Sequence, residues 1–154
     1  MAKKIRAANQ LVEMFGRQIP KGRADGYNRT TFRLSKAAKH AMDIRVAQDG
    51  YGLRGKSRWI MDAVNEFLDP KTWGRPGLEN PRIWKRIVLD TELQRERMLK
   101  DAINLTDEMR VRLWRAAIDA VLYGAEIEEP VYLEISIASV IRAAVMWKLG
   151  QTTL

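Results

Sequence analysis

The sequence predicts a mainly α-helical fold that carries two short strands. Amphipathic stripes at helical spacing cover most of the chain, and two brief segments alternate apolar and polar residues with the period of a strand. The order strand, helix, turn, helix also occurs twice. The 154 residues suit one compact domain or two very small ones, and 46% apolar content argues against a disordered chain.

Residues 2–16 read as an amphipathic helix, with Ile5, Ala8, Val12 and Phe15 on one stripe and Lys3, Lys4 and Arg6 mostly off it. A basic, breaker-rich loop, GRQIPKGRADG, follows. Asn28 to Leu34 turns strand-like: Phe32 and Leu34 point one way, Arg29, Thr31 and Arg33 the other. Ser35 is the expected N-cap of a helix, KAAKHAMDIRVAQ, closed by Asp49-Gly50. After the turn GYGLRGK, Ser57 is expected to cap the helix RWIMDAVNEFL. Its Ile60, Ala63, Val64, Phe67 and Leu68 share one face.

Residues 69–81 hold three of the five prolines and read as a linker. In residues 82–99, Ile83, Ile87 and Val88 fit a helix stripe, while RIVLD also fits a strand. The strongly helix-forming TELQRERML favours helix. Ile103 and Leu105 then alternate with Ala102 and Asn104 in a second short strand. Thr106 is the expected cap of the next helix. Asp107 and Glu108 sit where the dipole favours acids, and Met109, Leu113, Ala116, Ala117 and Ala120 form the apolar face. Residues 124–135 form an acidic connection, in which VYLEISI fits either a strand or an irregular segment. SIASVIRAAVMWKLG reads as the closing helix, with Ile141, Ala144 and Val145 inward and Gly150 as its stop.

The two halves correspond in detail. Phe32-Arg33-Leu34-Ser35 matches Ile103-Asn104-Leu105-Thr106 at an offset of 71. Ile60, Ala63, Val64 and Leu68 recur as Ile141, Ala144, Val145 and Leu149 at an offset of 81. The net charge of +8 is unevenly spread: residues 1–60 carry +10, 61–100 carry +1 and 101–154 carry −3. A basic chain of this kind suits nucleic acid or another acidic partner.

Composition narrows the chemistry. With no cysteine, disulfides, iron–sulfur clusters and thiol catalysis are excluded, and a cytoplasmic setting fits. His40 is the only histidine, so nucleophilic triads and most zinc sites fall away. GYGLRGKS lacks the spacing of a phosphate-binding Walker loop. The start has no apolar signal core, and no apolar run approaches the ~20 residues that span a bilayer. The expectation is a binding protein with no cofactor, no metal and no membrane partner, not an enzyme. The five tryptophans are expected in core and interface positions rather than as a base-stacking platform.

TTFRLSKAAKHAM with GKSRWIMDAVNEFL, and INLTDEMRVRLWRAA with SIASVIRAAVMWKL, resemble the ribbon-helix-helix superfamily of DNA-binding proteins, the Arc, MetJ and CopG type. The duplication is similar to the tandem arrangement of TraY-type conjugation proteins. The resemblance implies a mainly α fold with a short two-stranded antiparallel β-ribbon, two ribbon-helix-helix units in one chain forming a pseudo-dimer. The units are expected at 28–68 and 100–150, with 1–27 as helix and basic arm and 69–99 as a crossover linker containing a helix. In the alternative, each unit pairs with its counterpart in a second chain as a homodimer.

The resemblance further implies that the ribbon enters the major groove of double-stranded DNA. Its base-reading residues would be Arg29, Thr31 and Arg33, and by the same register Lys100, Ala102 and Asn104. Arginine pairs with guanine, asparagine with adenine, and an alanine methyl packs on thymine. Phosphate would be held at the start of the second helix by Arg54, Gly55, Lys56, Ser57 and Arg58, with Lys21 and Arg23 adding contacts from the arm. The equivalent second stretch follows Glu126, Glu128, Glu129 and Glu134 and departs from the family pattern. Segment 124–135 is thus either a solvated loop or a surface for a protein partner. The implied role is transcriptional regulation, on a plasmid or conjugative element. A relaxosome accessory, an antitoxin-type binder and a basic module for RNA or protein are the alternatives.

Overall fold

A computed structural model of the chain describes residues 27–52, 54–69, 72, 79–92, 98–127 and 134–150. The elements are β1 (Tyr27–Ser35), α1 (Lys36–Gln48), α2 (Lys56–Leu68), α3 (Glu79–Glu92), β2 (Met98–Thr106), α4 (Asp107–Glu126) and α5 (Ile137–Leu149). The fold is mainly helical with one two-stranded antiparallel sheet. The expected N-terminal helix, the basic arm with Lys21 and Arg23, and Trp73, Glu128 and Glu129 lie outside the described residues.

Each strand has nine residues, and they pair centre to centre. Thr31 faces Ala102, Arg29 faces Asn104, and Arg33 faces Lys100. Alternation decides the sides: Thr30, Phe32, Leu34, Asp101, Ile103 and Leu105 are buried beneath the ribbon. Both strands feed directly into a capped helix. The Ala38 N–H donates to Ser35 Oγ at 3.2 Å, and the Met109 N–H donates to Thr106 Oγ1 at 3.1 Å. These capping contacts lie 71 residues apart, at opposite ends of the ribbon.

The helices enclose one core. α5 is its centre: it packs against α1, α2, α3, α4 and β1, and buries Ile137, Val140, Ile141, Ala143, Ala144 and Val145. α2 buries Ile60, Ala63, Val64 and Phe67, so the shared stripe of α2 and α5 is inward in both. α4 buries the expected Met109, Leu113, Ala116, Ala117 and Ala120, together with Trp114, Val121 and Ala125. α3 buries Ile83, Ile87 and Val88 and lies on α4 and α5. Trp59 and Trp114 are buried, Trp84 and Trp147 partly so, and Trp147 stacks obliquely on Phe67 at 5.8 Å.

Three boundaries correct the sequence expectations, and one segment left open is decided. The linker ends earlier, because α3 starts at Glu79 and takes Pro81 into its first turn, where no intrahelical N–H is needed. The helix expected through Leu99 does not reach it: α3 is described over Glu79–Glu92, residues 93–97 lie outside the described residues, and Met98-Leu99 belongs to β2. Strand pairing with β1 overrides the helix propensity of Met98 and Leu99. α4 continues through Gly124 to Glu126, which shortens the acidic connection. Among the described residues of VYLEISI, Glu134 to Ser136 are not strand, and Ile137 begins α5.

Removing either cap isolates its contribution. Ser35→Ala and Thr106→Ala should each lower stability by about 1 kcal/mol. Their effects should add in the double variant, because the sites share no partner. Urea unfolding of the three variants measures this; strong non-additivity would show that the two ends of the ribbon are coupled.

Candidate nucleic-acid interface

The outer ribbon face is set by the alternation that builds the core. Arg29, Thr31, Arg33, Lys100 and Asn104 are exposed, and Ala102 is half-buried. The structure therefore brings all six expected reading positions onto one surface, as three facing pairs. Three of the six are cations, and Asn104 adds a two-sided hydrogen-bonding group.

The start of α2 lies along the β2 edge. Edge strands expose unpaired backbone groups, and here α2 covers them. The Asn104 N–H donates to Ser57 Oγ at 3.2 Å, and the Ala102 N–H donates to Asp101 Oδ1 at 2.8 Å. Lys56 Nζ donates to the same Oδ1 at 2.6 Å. Ser57 is thus not the helix cap that the sequence suggests. Gly55 occupies the cap position, and Ser57, the second residue of α2, serves the ribbon edge instead. Lys56 is likewise committed to a carboxylate rather than left free for phosphate.

Gly55 also has a packing role. It is buried, and a Cβ there would stand 2.2 Å from the Tyr51 carbonyl oxygen. Its lack of a side chain admits the preceding turn. That turn is built by Gly50 and Gly52, both at positive φ (80° and 76°), a region costly for other residues. Two side-chain bonds tie it to α2: Tyr51 OH donates to Asp62 Oδ2 at 2.6 Å, and Trp59 Nε1 donates to Asp49 Oδ2 at 2.9 Å. The hydrogen bond to Asp62, helped by burial, pushes the Tyr51 hydroxyl up to about 12.

Arg54 and Arg58 remain exposed at the α2 start. They border a cleft of about 600 Å³ shared with Ser57, Asn65, Asn104 and Arg112. Arg112 comes from α4 and donates to Asn65 Oδ1 on α2. It joins the candidate phosphate-binding set, although the α4 periodicity alone marks it only as an exposed cation. Asp62 and Glu108 also border the cleft.

The β1 edge is covered differently. Arg142 Nη1 of α5 donates to the Arg33 carbonyl at 3.2 Å, and Arg142 Nε lies 3.7 Å from Asp90 Oδ2. Burial draws the Arg142 guanidinium below its ordinary value, and Asp90 opposes that shift. Beneath the ribbon, Arg110 Nη1 donates to Thr30 Oγ1 at 2.6 Å. At the offset of 81, Arg54, Gly55, Lys56, Ser57 and Arg58 correspond to Ile135, Ser136, Ile137, Ala138 and Ser139. No cation is retained there, Ile135 and Ile137 are buried, and the exposed Glu134 borders a hollow with Arg33 and Lys100. Glu126 is exposed on the last turn of α4.

His40 is exposed on α1. No described helix is long and apolar enough to cross a membrane. No protein-family model, curated protein or solved structure matches the chain.

Glycine substitutions separate the two constraints on the turn. Gly50→Ala should cost roughly 1–2 kcal/mol through its φ alone, since its added Cβ meets open space. Gly55→Ala should cost more, because backbone oxygen blocks the methyl group. Chemical denaturation of both variants tests the order; the reverse order would mean that the Tyr51 contact is not limiting.

Proposed function

We propose that the chain is a sequence-specific double-stranded DNA-binding protein of the ribbon-helix-helix kind, acting as a transcriptional regulator. It lays the β1–β2 ribbon in the major groove, where each base pair presents its own pattern of donors and acceptors. The observation that carries this reading is the outer ribbon face. Arg29 with Asn104, Thr31 with Ala102 and Arg33 with Lys100 stand in register and open to solvent.

The centred register supports a single-chain pseudo-dimer. The offset relating the strands in sequence takes Thr31 onto its own partner, Ala102. It takes Arg29 onto Lys100 and Arg33 onto Asn104, as a two-fold axis through the central pair requires. The chain supplies both strands itself, so a second copy is not needed to complete the sheet. Arg54, Arg58 and Arg112 hold the DNA backbone beside the Asn104 edge, where the free N–H groups of the α2 start add their partial positive charge.

The reading face is not symmetric in chemistry. Arg29 with Asn104 offers guanine and adenine recognition, whereas Arg33 with Lys100 offers two cations suited to guanine or phosphate. Selection of bound duplexes from a random pool should therefore return a non-palindromic site. Arg33→Ala should weaken binding to it by about 1–3 kcal/mol and relax one position. With about six phosphates neutralised, log affinity should fall with log salt at a slope near −5. A perfect palindrome would overturn the pseudo-dimer reading, and a flat salt response the DNA reading itself. Mass in dilute solution should be that of one chain, whereas an obligate dimer would favour pairing between two copies.

A further inference from the structure

Asp101 interrupts the apolar inner side of β2. The matching position on β1 is Thr30, a neutral residue. The Asp101 side chain is only 7% exposed. Its Oδ1 accepts from Lys56 Nζ at 2.6 Å and from the Ala102 N–H at 2.8 Å, while its buried Oδ2 has no hydrogen-bond partner. A hollow of about 470 Å³ at this point is bordered by Arg29, Lys56 and Lys100, with Asp101 the one carboxylate among them. Buried ion pairs are weak stabilisers, because desolvation offsets their attraction. Stability alone is thus a poor reason for a charge at this position.

We propose that Asp101 is a specificity-determining residue that withholds the Lys56 charge from DNA phosphates. This rests on the duplex-binding reading above. Lys56 sits at the edge of the ribbon face, where a free ammonium would meet the backbone of any duplex. Phosphate contacts add affinity without regard to sequence, whereas base contacts discriminate. A cation neutralised from beneath subtracts from the first and leaves the second. It also fixes the α2 start against β2, so that Arg54 and Arg58 keep their places relative to the reading residues. Asp101 therefore acts through Lys56 and touches no base.

Salt titrations of affinity, on the selected duplex and on a random duplex, test this with the full chain, D101N and D101N/K56Q. D101N frees Lys56, so its slope on random duplex should steepen by about 0.9. That corresponds to roughly eightfold more affinity lost over a tenfold rise in salt. The ratio of selected to random affinity should fall. D101N/K56Q should keep the wild-type slope, because the deleted pair carried no net charge. An unchanged slope in D101N, or a flatter one in the double variant, overturns the proposal. If circular dichroism finds D101N unfolded, the double variant decides alone: a wild-type slope supports the proposal, a flatter one refutes it. A wild-type chain that binds no duplex removes the DNA reading and this inference together. Normal wild-type binding with an unaltered D101N slope removes this inference only.

Discussion

Two strands have two outer edges, and an isolated two-stranded ribbon is marginal in water. The rest of the structure depends on how this chain closes that pair. The inner face is closed by core packing through Phe32, Leu34, Ile103 and Leu105. The β2 edge is closed by Ser57 and by the Lys56–Asp101 pair, and the β1 edge by Arg142. The same contacts hold the α2 start and Arg142 of α5 against the two strand edges. Edge closure and placement of the candidate DNA contacts are therefore one arrangement. The register cannot slip to suit one without the other, since a shift of one residue would turn Arg29, Thr31 and Arg33 into the core.

Much of this frame was legible because it is written in local patterns. α1 spans the segment between its Ser35 cap and Asp49, and the apolar stripes of α2, α4 and α5 are the buried faces. Alternation alone separated Arg29, Thr31 and Arg33 from Phe32 and Leu34. What was not legible depends on residues far apart in sequence. Lys56 meets Asp101 across 45 positions, Arg110 meets Thr30 across 80, and Arg142 meets Arg33 across 109. No spacing rule reports such pairs. The mistaken cap at Ser57 has the same origin: a serine near a helix start is a good cap by propensity, but the ribbon edge offered it another partner. The constraint on Gly55 from the packing of the Tyr51 backbone is likewise one that no local pattern reports.

The absence of cations at the α5 start has a packing cause. α5 occupies the middle of the helical layer, in contact with five other elements, and α3 lies over it. Its start is drawn inward, so the positions matching Arg54 and Lys56 are the buried Ile135 and Ile137. A cation there would lose its hydration without a partner, at a cost of several kcal/mol. The α2 start stays at the surface, where Arg54 and Arg58 remain hydrated. Of the two cations on α5, Lys148 pairs with Glu66, and Arg142 is tied to the Arg33 carbonyl and to Asp90 and closes the strand edge. On the proposed reading, then, one flank of the ribbon holds the DNA backbone more tightly than the other. That polarity follows from which helix fills the centre of the fold, not from charge laid over a symmetric frame.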